Sequence, residues 1–190
     1  MGKYLVTAIA VCIIYGQASA QIEKGKLYPG ITINQGRGLQ FGIQPSMSVG
    51  LGKHVLLGVH SSHLRGDNFF YNDSKTYAIK NGGGISYSYF RYFKNSRKLG
   101  WYITGELNYH RYNVYQVKND ERLLNNRYSQ TDIDIRPGLF FNASKNILLF
   151  ANVGGIGLHS VRDNNSLDLS FGRQVNIGIL INLDAFRKRK

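Results

Sequence analysis

The chain has 190 residues, the length of one closed barrel or sandwich. Lysine and arginine number 24 against 11 acids, so partners selected by charge are anionic ones. With 13 tyrosines, 10 phenylalanines and 22 glycines, and no stretch dominated by Glu, Ala and Lys, the composition argues for β structure and against helices.

Residues 1–20 read as an export signal. Lys3 supplies the positive start, Leu5 to Tyr15 an apolar run, and Ala18-Ser19-Ala20 a small-x-small cleavage pattern, with Gln21 as the expected mature start. The run is too short for a membrane-spanning helix, which needs about 20 apolar residues. Cys12 is the single cysteine and lies inside this run, with Val11 before it where a lipoprotein site needs a small residue. The expected mature chain, residues 21–190, therefore has neither disulfide nor thiol chemistry.

Eight alternating segments follow, at about 26–34, 39–50, 54–64, 80–93, 100–113, 131–142, 146–161 and 169–183. In the second, Leu39, Phe41, Ile43, Met47 and Val49 oppose Gln40, Gly42, Gln44, Ser46 and Ser48. The eighth is the clearest, with Val175, Ile177, Ile179 and Ile181 opposing Gln174, Asn176, Gly178 and Asn182. The fourth and seventh are less clean, and alternation leaves Arg91 and Asn152 unassigned to a face. Short turns at Leu51 to Lys53, Lys94 to Leu99 and Ala143 to Lys145 fall on one end. Polar loops at about 65–79 and 114–130, with shorter ones near 35–38 and 162–168, fall on the other. That asymmetry is the one outer-membrane barrels show, short turns being periplasmic.

The wet face of these segments is Gly, Ser, Asn and Gln with a few charges, which suits a narrow lumen where side chains from all strands interdigitate. Mature-chain lysines, Lys80 included, map to turns, loops, strand ends or termini, as a lipid-facing exterior requires. Tyr89, Phe90, Tyr92, Phe93 and Trp101 flank a short turn, and Phe69, Phe70, Tyr71, Tyr77, Tyr112 and Tyr115 cluster near the long loops. Both groups are expected to form interfacial aromatic girdles. Pro29, Pro45 and Pro137 share the lipid-facing parity; each removes a ladder donor, so a bulge or weakened pairing is expected at Pro45.

FGIQPSMSVGLGKHVLLGVHSS, and then ISYSYFRYFKNSRKLGWYITGELNY, resemble the small outer-membrane β-barrel proteins of Bacteroidetes-type bacteria. The shared pattern is a proline-containing strand, a turn, a Leu-Gly-Val strand and an aromatic-Arg-Tyr-aromatic strand end, here Tyr89 to Phe93. The resemblance implies an eight-stranded barrel of the OmpX and OmpA type. One departure is the end of the chain, which runs past Phe186 into Arg187-Lys188-Arg189-Lys190 where such barrels often finish on an aromatic residue.

Eight strands enclose a lumen just wide enough for side chains to fill, so Glu106, Asp132, Asp134 and Arg136 are expected to form a buried polar network that holds the barrel shut. His54, His60, His63, His110 and His159 show no HExxH and no repeated His–carboxylate spacing, so neither a metal nor a cofactor is expected. His60 and Ser62 share a face, and a His-x-Ser pair with a Glu occurs in lipid A deacylases. Here the parity turns His60, Ser62 and Glu106 toward the lumen, away from any lipid substrate. Arg65-Gly66-Asp67 is expected at the start of a surface loop, and the glycine runs at 81–84 and 153–157 are expected to relieve crowding or bend strands. Arg37, Arg65, Lys75, Lys118, Arg122, Arg127 and Arg162 fall in the presumed outer loops, where lipopolysaccharide phosphates are the matching partner. Nucleic-acid binding lacks a recognition fold and conflicts with export.

The sequence thus points to an all-β, eight-stranded antiparallel up-and-down transmembrane β-barrel in a bacterial outer membrane, both ends periplasmic. It is expected to be monomeric, non-catalytic and without an open pore, acting structurally or through its surface loops. Expected partners are outer-membrane lipid, lipopolysaccharide and the barrel-assembly machinery. The alternatives are a soluble periplasmic or secreted barrel holding a small ligand, and a lipid A-modifying enzyme.

Overall fold

In the computed structural model, residues 22–35, 41–67, 76–118, 121–161, 164–169 and 175–183 are described. The expected signal, residues 1–20, and the basic end, residues 187–190, lie outside them. The strands are β1 (Leu27–Gln35), β2 (Phe41–Gly52), β3 (Val55–Asp67), β4 (Thr76–Tyr92), β5 (Leu99–Lys118), β6 (Glu121–Ser144), β7 (Ile147–Asn152), β8 (Ile156–Val161), β9 (Asn164–Leu169) and β10 (Val175–Ile181). Each of β1 to β6 pairs antiparallel with the next, β6 pairs with both β7 and β8, and β10 pairs with β7 and β1. β7 with β8, and β9 with β10, make one stave each, so the sheet is a closed barrel of eight antiparallel staves. Among the described residues β9 alone pairs on one side only, with β8.

From β1 to β7, apart from the tip of the β5–β6 hairpin, the even-numbered side chains point inward and the odd-numbered outward. The outward set is apolar on all ten strands, from Ile31 and Ile43 through Val59, Ile85, Leu107, Ile133 and Leu149 to Leu158, Leu167 and Ile177. Ile133 is 52% exposed while Asp132 beside it is 2% exposed, an inversion of the soluble-protein rule.

The prolines sit where the ladder lapses on one side. Pro45 pairs with Ile31 of β1, but the β3 ladder passes from Ile43–His63 to Ser46–His60, skipping Gln44 and Pro45 without a change of register. The weakened pairing expected at Pro45 is present; the bulge is not, and the nearest register shift lies between Gly50 and Gly52. Pro29 pairs with Met47, while the β10 ladder begins only at Gly30. Pro137 pairs with Ile103, and opposite it the seventh stave breaks between Asn152 and Ile156. Gly154 there takes φ +81°, a conformation open to glycine at little cost. The extra residue flips the parity, so that β7 turns Asn152 inward and β8 turns Gly157 and His159 inward.

Four expectations need correction. β5 runs to Lys118 and β6 starts at Glu121, so the polar stretch expected as a loop at 114–130 is a hairpin extending the two longest strands beyond the barrel body. Residues 164–168, also expected in a loop, belong to strand β9. Arg65-Gly66-Asp67 lies within β3, paired with Ile79, Ala78 and Tyr77. Lys80 is the fifth residue of β4 and faces the lumen, where a carboxylate receives it.

Candidate functional site in the barrel lumen

The end of the barrel with the short turns is closed by an apolar floor. Ile22, Tyr28, Leu56, Phe90, Tyr102, Phe140, Leu148 and Leu180 are buried there, with Tyr92 and Phe150 packed against them. Phe90 stacks on Tyr102 at 5.3 Å and meets Phe140 edge-on at 5.3 Å; Tyr92 meets Phe140 at 5.0 Å and Phe150 meets Tyr102 at 5.8 Å. The rings fit because glycines face them. A Cβ on Gly100 would strike Phe140, one on Gly138 would strike Tyr102, and one on Gly178 would strike Phe150. Small residues opposite large ones are how a tapering lumen is filled.

This floor corrects the expected girdle. Phe90 is 4% exposed and Tyr92 half-buried, both on the inward parity of β4. Tyr112 likewise points inward and stacks on Tyr128 at 4.7 Å. A lumen must be plugged by its largest side chains, and even numbering in β4 and β5 assigns these rings to it. Tyr89, Phe93 and Trp101 keep the outward parity, with Tyr89 5.9 Å from Trp101 and 6.1 Å from His54. Phe69, Phe70 and Tyr71 lie outside the described residues.

Above the floor, the register sets Glu106 opposite Asp134 and Thr104 opposite Arg136. Arg136 reaches one residue along its own face to Asp134 (3.0 Å) and across the strand to Glu106 (3.2 Å). Asn108 donates to both Asp134 (3.3 Å) and Glu106 (3.4 Å), and its carbonyl meets His60 Nε2 at 2.7 Å. Asp132, grouped with these residues by sequence, belongs to a separate cluster one step outward. Its carboxylate holds His159 at 2.7 Å, His110 at 3.4 Å and Lys80 at 3.8 Å, with Gln130 also donating to it. Lys80 lies 5.3 Å above the ring of Tyr112, and Ser62 contacts the far nitrogen of His110 at 3.2 Å. Charged groups this poorly hydrated persist only when paired, and each carboxylate here is.

Alternation in the sequence assigned Glu106, Asp132, Asp134 and Arg136 to the wet face, but not the partition into two clusters. It put Asn108 on the same face without naming it in the network, and it missed Lys80 and Gln130, although both have the parity of the lumen. His159 was hidden by the parity flip at Gly154. Nearer the floor, Asn152 donates to Tyr102 (2.9 Å) and accepts from Asn176 (2.7 Å). Between these groups lies a cavity of about 60 Å³ lined by hydroxyls of Ser46, Ser48, Ser86, Ser88 and Thr104 and by Arg136. It has room for a few waters and none for a metabolite. Among the described residues no group of three or more His, Cys, Asp or Glu side chains is placed to hold a metal.

The class defined by this fold is an eight-stranded antiparallel β-barrel with an apolar exterior and a filled lumen. Among solved structures, the N-terminal β-barrel domain of Pseudomonas aeruginosa OprF is similar over 84% of this chain and 98% of its own, at 12% identity and a TM-score of 0.52. Neisserial surface protein A aligns over 83% of this chain and 95% of its own (11% identity, TM-score 0.49). The attachment invasion locus protein Ail of Yersinia pestis aligns over 83% and 98% (13% identity, TM-score 0.42). At these identities the likeness to the OprF domain is one of fold. No protein-family model matches the chain, and no curated protein matches it significantly.

Proposed function

We propose that this chain is an exported outer-membrane β-barrel of the small Bacteroidetes type, whose mature form begins at Gln21 and whose short-turn end faces the periplasm. It acts by presenting its outer loops and the projecting β5–β6 hairpin at the cell surface, and it neither catalyses a reaction nor conducts freely. One observation carries the reading: an apolar exterior on every stave surrounds a polar, charge-paired interior. Water would favour the reverse arrangement, whereas hydrocarbon outside and a closed hydrogen-bonded lumen inside satisfy both faces. In this reading the barrel is a monomer.

A soluble ligand-binding barrel is disfavoured by the small size of the lumen cavity among the described residues and by the belt itself, which would be an aggregation surface in water. The deacylase reading is disfavoured by the placement of its residues. His60 is engaged by Asn108, Ser62 by His110 and Glu106 by Arg136, all inside the lumen and none on the wall that meets acyl chains. Partners in this reading are outer-membrane lipid, lipopolysaccharide and the barrel-assembly machinery. The test is fractionation with gel mobility. The mature protein is expected in the outer-membrane fraction, migrating faster unheated than boiled; a detergent-free soluble protein without that shift defeats the proposal.

A further inference from the structure

The acids described on the strands are confined to the lumen, where Lys80 and Arg136 pair with them, while other strand cations face out. Glu106, Asp132 and Asp134, the acidic side chains described within strands, all face the lumen, whereas Arg91, Arg111 and Arg127 are exposed on the outward parity. Arg91 lies beside the short turns. Arg111 and Arg127 lie at the other end, where the apolar belt gives way to polar residues.

The surroundings of Arg111 are specific. Its cross-strand partners are Asn81 on β4 and Ser129 on β6, and Asn81 is in turn opposite His63 on β3. His63 is hydrogen-bonded to Asn81, and Tyr109 donates to Ser129 at 3.0 Å. A row of four strands therefore presents imidazole, amide, guanidinium and hydroxyl groups side by side on the outer wall. Among the described residues no carboxylate pairs with Arg111. Its height on the wall follows from β5: ten residues separate Trp101 at the short-turn rim from Arg111. At about 3.3 Å per residue and a tilt near 40°, that is ~25 Å along the membrane normal, the height of a barrel's apolar band.

Resting on the outer-membrane orientation proposed above, we infer that His63, Asn81, Arg111 and Ser129 form a binding site on the barrel wall for the phosphate of an outer-leaflet glycolipid. A guanidinium pairs with a phosphate through parallel N–H···O bonds, and the neighbouring amide, imidazole and hydroxyl supply further donors in the same row. At the edge of the hydrocarbon the guanidinium costs about 0–1 kcal/mol, against about 2–4 at mid-depth, so its place on the wall is compatible with the bilayer. The acyl chains of the same lipid would lie down the apolar belt over Leu107 and Ile133. This assigns the lipid contact to the wall and not to the loops.

The experiment uses the full mature chain folded in zwitterionic micelles, each variant first checked for heat-modifiable migration. Binding of diphosphoryl lipid A is measured against lipid A stripped of its phosphates, with inorganic phosphate as competitor. Saturable binding of the diphosphoryl form is expected, weakened at least tenfold by Arg111→Gln and by removal of the phosphates. Arg91→Gln at the opposite rim is expected to change it less than twofold, and inorganic phosphate at equal concentration is expected not to compete. If Arg111→Gln fails to fold, Asn81→Ala with His63→Gln is expected to weaken binding several-fold in its place. Equal binding of the dephosphorylated lipid, unchanged affinity in the variants, or an equal loss in Arg91→Gln overturns the site while leaving the barrel intact. Absence of heat-modifiable migration in the unmutated protein overturns the barrel orientation and the site together.

Discussion

Arg136 Nη1 lies 3.2 Å from Glu106 Oε2, an ion pair across neighbouring strands with both side chains largely withdrawn from solvent. Removing the cation strands two carboxylates, because Asp134 also depends on it at 3.0 Å. Arg136→Met is therefore expected to destabilise the barrel by roughly 3–5 kcal/mol. Replacing all three charged groups by apolar residues of similar volume is expected to cost less than the single change. Urea unfolding of the barrel in lipid, followed by gel mobility, measures both.

The floor predicts a second effect. Gly138 lies against the ring of Tyr102 and Gly178 against that of Phe150, so neither has room for a branched side chain. Gly138→Val or Gly178→Val is expected to cost about 1–3 kcal/mol through overpacking, despite the better strand propensity of valine. Gly105→Val is the control, since a Cβ there meets nothing within 4 Å. The same unfolding measurement is expected to leave it near the unmutated value.

Ile22 sits just before β1 yet is 4% exposed in the floor, held there as Glu23 N–H donates to the Tyr28 hydroxyl at 2.8 Å. Ile22→Ala is expected to cost about 2 kcal/mol, at the low end for a buried aliphatic because Ile22 lies at the rim of the floor, beside Lys145 and Asn146. Ile22→Asp, which puts an unpaired carboxylate among Leu56, Leu148 and Leu180, is expected to cost more than Ile22→Ala in the same assay.

Depth along the wall gives a graded prediction. Ile133→Arg, in the middle of the belt on β6, is expected to destabilise the lipid-embedded barrel by about 2–4 kcal/mol. Ser129→Arg, four residues outward on the same face, is expected to cost about 0–1 kcal/mol. Reversible unfolding in bilayers compares the two directly. Equal costs would contradict the placement of the outer rim at Ser129 and Arg111.

Much of this was legible because one parity ran through seven strands, β1 to β7. Ile43, Ile85 and Ile133 face out and Gln44, Ser86 and Asp132 face in or toward the lumen, as strict alternation requires. Legibility failed where alternation itself failed. At Val153 to Gly155 the extra residue opposite Pro137 reverses the faces, so Asn152 and His159, of opposite parity, both enter the lumen. Toward the β5–β6 turn Leu124, Asn126 and Arg127 are exposed whatever their parity, and a strand wet on both sides has the composition of a loop. Phe90, Tyr92 and Tyr112 misled for another reason. An aromatic at a strand end suits the lipid interface and the plug of a lumen equally well by composition, and only its position in the register decides between them.

The central claim is that the odd-numbered strand residues meet lipid and the lumen is closed. The mature chain expected from the sequence lacks cysteine, so single cysteines at Ile43, Ile85, Ile133 and Ile177 can each carry a nitroxide spin label without further changes. In bilayers, these four labels are expected to collide readily with oxygen and scarcely with a polar nickel chelate, while a label at Arg127 shows the reverse. Labels at Ile43 and Ile133 that meet the polar chelate as freely as the one at Arg127 would contradict the account.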